Sequence, residues 1–183
     1  KGYVTKIFEL LGDTAPVKSA DAVIKFETEA AKGQWKQEEL RVTDKAFKAM
    51  DAAAFQKLVP NIDLAKFAAD AGLPALSNMV AYGDTSITAG AKLVDTQSLD
   101  TWKKYLTFHI ASDNGAYLTK AFDDARFDFF SKTLAGVTAK RDRWKRGVQL
   151  LDRTIGEALG EAYAAKFFPP ENKTKMEALV GNL

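Results

Sequence analysis

Apolar residues recur every three or four positions through most of this chain, and that spacing constrains the fold more than any other feature. Ser98 is placed to cap a long pattern of Leu99, Trp102, Leu106, Phe108, Ile110, Tyr117, Leu118, Phe122, Phe129, Phe130 and Leu134. Asn114-Gly115 is expected to bend that helix and Gly136 to close it. A second long helix is predicted in RWKRGVQLLDRTIGEALGEAYAAKFFPP, residues 143–170, where Pro169-Pro170 ends the run. ENKTKMEALVGNL then begins a last one. Only PALSNMVAYGD lacks helical phase, and it is the one stretch expected to be extended.

Shorter patterns fill the first half. Tyr3, Val4, Ile7, Phe8 and Leu11 mark a helix that turns at LGDTAP. Ser19 or Asp21 is then expected to cap a helix with Ala22, Val23, Phe26 and Ala30 on one face, ending at Gly33. WKQEELRVTDKAFKAM reads as helical near Trp35–Leu40 and irregular after Val42. Asp51 suits the N-cap of AAAFQKLV, stopped by Pro60; residues 63–71 form another short helix with Gly72 past its end. Thr85 or Ser86 starts a further one through about Val94. The expected fold class is all-α: one irregular multi-helix domain, residues 1–183, of seven to nine helices, two of them long.

Composition narrows the function by exclusion. With 26 basic and 24 acidic residues the net charge is only +2, which offers no electrostatic argument for nucleic acid or an anionic membrane. Absence of cysteine removes disulfides, a thiol nucleophile and thiolate metal ligands. No apolar run approaches the roughly 20 residues that span a bilayer. The chain opens without Met inside a helical pattern and stops with Met176, Leu179, Val180 and Leu183 still in phase. The expectation is a piece of a longer protein.

A catalytic zinc site needs about three protein ligands. This chain holds one histidine, His109, in YLTFHIAS, and no H-E-x-x-H. A packed or capping role suits His109 better than metal ligation. Glu157 and Glu161, four apart, share one helix face and could form an acid–base pair; a solvated face is the plainer reading. Asp123 and Asp124 sit near Lys120 and Arg126 and read as surface ion pairs. Serine catalysis lacks a G-x-S-x-G elbow, and no glycine-rich phosphate loop occurs. The expectation is therefore that residues 1–183 contain no catalytic, cofactor-binding or metal-ligating residue.

Gly156 and Gly160 lie four apart in the second long helix, each weakening it by up to about 1 kcal/mol relative to alanine. Close approach of another backbone or large side chain is expected there. Trp144, Val148, Leu151, Ile155 and Leu159 form an apolar stripe beside them, so the helix is expected to be buried on most sides as central scaffold.

The run RWKRGVQLLDRTIGEALGEAYAAKFFPPENKTKMEALVGNL resembles the end of the N-terminal helical region of neprilysin-type zinc metalloendopeptidases, a family that includes endothelin-converting enzyme and the bacterial endopeptidase O group. The family pattern, approximately R-W-K-x-C-V…G-x-A-L-G-x-x-Y…F-P…K…M…L-V, falls on Arg143, Trp144, Lys145, Val148, Gly156, Ala158, Leu159, Gly160, Tyr163, Phe168, Pro169, Lys173 or Lys175, Met176, Leu179 and Val180. SLDTWKKYLTFHIASDNGAYLTKAFDDARFDFFSKTLAG is similar to the preceding family segment, and KGYVTKIFELLG more loosely to its start. Gly147 stands where vertebrate members carry cysteine, as expected of a bacterial member, and LRVTDKAFKAM lacks the Arg-Asp pair common there.

The resemblance implies a helical lobe that caps a thermolysin-like catalytic lobe, in a two-lobed metallopeptidase whose cavity admits peptides but not folded proteins. Zinc, its H-E-x-x-H motif and its third ligand, a glutamate, would lie later in the parent chain. No catalytic residue carries over onto residues 1–183. The implied partners are the parent's own catalytic lobe and its peptide substrates, with no nucleic acid and no membrane span in this segment. The implied location is outside the cytoplasm, in the bacterial periplasm, the cell envelope or the medium. The alternative from the residues alone is a helical protein- or peptide-interaction module without an enzymatic parent.

Overall fold

The computed structural model describes residues 1–182; the expected helical phase at Leu183 lies outside the described residues. Two compact units divide the chain, Lys1–Ala135 and Gly136–Leu183. The all-α expectation holds, but among the described residues there are eleven α-helices rather than seven to nine, and there is one small two-stranded sheet. Short helices such as Gln37–Leu40 and Thr43–Ala46 carry too few residues to show a period.

In the first unit α1 (Gly2–Leu10) and α2 (Pro16–Ala31) form the first hairpin. Short helices α3 (Gln37–Leu40) and α4 (Thr43–Ala46) lead into strand β1 (Phe47–Asp51), followed by α5 (Ala52–Leu58) and α6 (Leu64–Asp70). Strand β2 (Asn78–Tyr82) precedes α7 (Asp84–Thr96) and α8 (Leu99–Asp113). After a 3₁₀ turn at Gly115–Tyr117 come α9 (Lys120–Arg126) and a π-helical stretch, Phe127–Leu134.

The core is built from both ends of this unit. Tyr3, Val4, Ile7 and Phe8 of α1 bury against Ala20 and Val23 of α2, Phe108 and Ala111 of α8 and Phe122 of α9. Apolar residues at i, i+1, i+4 and i+5 on α1 present one continuous face, and its burial is the main driving force here. The Tyr3 hydroxyl shares a buried 2.8 Å hydrogen bond with Ser112 Oγ, which satisfies both polar groups. The π-helical widening lets two consecutive aromatics reach one ring: Phe129 stacks on Tyr3 at 4.7 Å, and Phe130 meets it edge-on at 5.2 Å.

Several local expectations hold. Asp51 caps α5 by accepting from Ala54 N–H at 2.7 Å, and Ser98 caps α8 by accepting from Thr101 N–H at 3.2 Å. Gly72, with φ of +66°, follows α6. β2 lies inside the stretch read as extended.

Other expectations need correction, and α7 begins at Asp84 with Gly83 as its N-cap rather than at Thr85 or Ser86. Neither Ser19 nor Asp21 caps α2, which starts earlier at Pro16; Asp13 is the anchor, accepting from Ala15 N–H at 2.7 Å and from the Ser19 hydroxyl at 2.6 Å. Proline at the first helical position needs no N–H there, and that moves the start forward. β2 is not the only strand, because β1 pairs with it antiparallel, Phe47 opposite Tyr82 and Asp51 opposite Asn78. Its residues FKAMD carry little β-propensity beyond Phe47, so pairing rather than local preference makes the strand. The bend expected at Asn114-Gly115 is a full interruption between α8 and α9.

The last correction concerns the second unit, which comprises α10 (Arg143–Phe167) and α11 (Pro170–Gly181). α10 has the expected length and ends just before Pro169-Pro170. It is not buried: Trp144, Val148, Leu151, Ile155 and Leu159 are all exposed, Trp144 by 67%. The stripe predicted to face a core faces outward among the described residues.

Candidate functional sites

His109 sits on α8, where its Nε2 lies 2.9 Å from Glu27 Oε1 of α2, and its ring packs at 4.4 Å from that of Tyr105. That is a packed histidine joining two helices, as the plainer reading had it. Glu157 and Glu161 are exposed on α10. Lys120 Nζ pairs with Asp124 Oδ2 at 2.5 Å, one turn along α9, and the Arg126 guanidinium lies over the Phe130 ring at 5.3 Å.

Two carboxylates are held below their ordinary range. The Ser19 hydroxyl, then the Ala15 N–H, stabilise the charged form of Asp13. For Asp84 the hydrogen bond from Lys48 Nζ, at 2.6 Å, outweighs the opposing effect of partial burial. That pair ties β1 to the first turn of α7. Thr85 Oγ1 donates to Gly33 O at 2.9 Å, tying the same turn to the end of α2. Both are positioning contacts for the sheet and its flanking helices.

Two concavities escaped the sequence reading. One, of about 530 Å³, lies among α5, α6 and residues 73–76, lined mostly by Ala52, Ala53, Ala65, Ala68 and Leu73. Its polar lining residue, Gln56, is fully engaged: Nε2 donates to Val59 O and Ile62 O, and Oε1 accepts from Leu64 N–H. The alanine runs at 52–54 and 68–69 were the available signal, since small side chains leave space unfilled. The other, about 470 Å³, is lined by Gln34, Trp35, Glu39, Val42, Lys45 and Thr85. In the second, the Thr85 hydroxyl donates to Gly33 O and Glu39 Oε2 accepts from Lys36 N–H.

Among the described residues no group of three or more His, Cys, Asp and Glu side chains could hold a metal ion. A zinc site does not fit the side chains present among the described residues. Among the described residues no helix is long and apolar enough to cross a membrane.

The family model for the N-terminal region of peptidase family M13 matches residues 1–183. The chain belongs to peptidase family M13. Its relatives in that family include an endothelin-converting enzyme homolog of Locusta migratoria, 27% identical over 194 residues that take in 99% of this chain. Among solved M13-like structures, the zinc metalloprotease Zmp1 of Mycobacterium tuberculosis in its open state superposes with a TM-score of 0.88 at 27% identity, covering 99% of this chain. The same enzyme in a partial open state gives 0.79 at 26% identity. The chain spans about a quarter of these proteins, 26% of the locust homolog and 29% of the open-state Zmp1 chain. The neprilysin-type resemblance and the helical-lobe fold therefore stand, and the likeness to a mycobacterial enzyme fits a bacterial M13 member.

Proposed function

We propose that residues 1–183 form the non-catalytic helical cap lobe of a neprilysin-like zinc metalloendopeptidase. In this reading the lobe helps enclose the active-site cavity and restricts cleavage to peptides. Its partners are the parent's own catalytic lobe and the peptides that enter. The zinc and its ligands belong to polypeptide outside residues 1–183, and the parent works outside the cytoplasm. The observation that carries the reading is a family match over the whole chain, on a segment whose described residues offer no metal-ligand cluster.

The exposed apolar stripe of α10 supports it. Five large apolar side chains in phase along one helix face water here, and such a face is stabilised by covering protein. The alternative, an interaction module with no enzymatic parent, has no observation of its own in its favour.

The test has two arms. The parent coding sequence is expected to hold an H-E-x-x-H motif beyond the segment corresponding to Leu183. Purified residues 1–183 are expected to bind no stoichiometric zinc by metal analysis and to leave fluorogenic peptides intact. A parent without the motif, or zinc-dependent turnover by residues 1–183 alone, would overturn the reading.

A further inference from the structure

Helix α10 has two features that weaken it. Its backbone leaves helical geometry at Ile155, where φ is −128° and ψ is 23°. The glycines that follow meet no close neighbour. A Cβ built on Gly156 comes only within 3.4 Å of Asp152 Oδ1, an ordinary contact, and one on Gly160 meets nothing within 4 Å. Among the described residues no close neighbour meets either glycine, so within this segment nothing offsets the weakening that glycine brings to a helix interior.

The neighbouring residues act in the same direction. Thr154 and Ile155 are β-branched and less suited to a helix than straight-chain residues. Thr154 Oγ1 donates to Leu150 O at 2.8 Å and approaches Leu151 O at 3.4 Å. Such back-bonding bends helices, and here it satisfies carbonyls near the break. Proline, the usual cause of a kink, is absent until Pro169. Four successive choices, Thr154, Ile155, Gly156 and then Gly160, weaken one short stretch of an otherwise well-formed helix.

We propose that α10 hinges at Ile155, which divides it into two arms, Arg143–Thr154 and Gly156–Phe167, with Gly160 softening the start of the second. Each arm keeps its own hydrogen bonds while the break absorbs the change in φ and ψ. The use of this hinge rests on the proposed function: in a lobe that admits and releases peptides, it lets polypeptide on either side swing without unfolding either arm.

The test uses the full-length parent protein, with nitroxide labels on Lys145→Cys and Lys166→Cys and any other cysteines removed. A straight helix would hold these 21-residue-separated positions about 31 Å apart along its axis. The hinge gives a broad distribution reaching to shorter distances. The triple variant Thr154→Ala, Gly156→Ala, Gly160→Ala collapses it to one narrow peak near the straight-helix value. Within residues 1–183 a Cβ at either glycine meets no clash, and the single variant Thr154→Ala of the parent gives the same readouts should the triple variant not fold. Hydrogen exchange provides a label-free readout: amides 155–160 are expected to slow by about tenfold in the variant. A narrow straight-helix peak in the native protein, or unchanged breadth and exchange in the variant, overturns the hinge. Zinc content and peptide turnover of the same parent separate the two ideas. An active zinc enzyme with a rigid α10 defeats the hinge alone; a mobile α10 in a parent without zinc or turnover keeps the hinge and removes its proposed use.

Discussion

Asp13 shows how one side chain replaces the cap that the sequence pattern suggested. Its two oxygens take separate donors, Ala15 N–H and Ser19 Oγ, and the charged form is favoured by both. The folded pKa is therefore below the ordinary 3.8 of the unfolded chain. Stability from the carboxylate is fully present above that value and is lost as pH falls through the folded value. Asp13→Asn keeps an acceptor oxygen without the charge. Its urea midpoint is expected to lie below that of the native chain at pH 7, with the gap closing once pH drops below 3.8. A gap independent of pH would contradict this assignment. The anchor was hard to read because Asp13 lies three residues before the helix and acts through a residue inside it. Asp51 and Ser98, directly ahead of their helices, were legible at sight.

The helices of the first half are joined by close approaches that spacing alone does not reveal. Gly33 was read as the end of α2, yet its larger role is contact with α7: a Cβ there would collide with that of Ala89 and lie 3.2 Å from Thr85 O. Both neighbours belong to a rigid helix, so Gly33→Ala must push α2 and α7 apart. Such overpacking costs about 1–3 kcal/mol. Paired with Ala89→Gly the loss should be partly recovered, a non-additivity readable by denaturant unfolding of the four proteins. Helix existence was legible from period, as α1, α8 and α10 show. The interruption after α8 was not, because aromatic residues continue on both sides of it and π-helical geometry changes which of them share a face. β1 was invisible for a related reason: FKAMD becomes a strand through its partner.

On the scale of the whole chain the two units differ in how they are stabilised. The first has a core reaching from Tyr3 to Phe122, whereas among the described residues from Gly136 onward none is buried. Isolated helices gain most of their stability from packing, so in residues 1–183 alone α10 and α11 should exchange their amides well before α1, α2 and α8. Hydrogen exchange resolved by residue checks this; equal protection in both units would refute it. The sequence reading assigned α10 to a buried interior because period reports which face is apolar, not what covers it. Family membership was legible for a different reason. The motif from Arg143 to Val180 is specific in its residues, and recognising it did not depend on the burial of α10.

The place of Tyr3 also bears on how the polypeptide is made. The hydroxyl partner of this ring is 109 positions further on, and Phe129 and Phe130 come later still. At roughly 5–20 residues per second, translation leaves the apolar face of α1 without those neighbours for on the order of ten seconds. During that interval only Ala20 and Val23 of α2 are at hand to cover it.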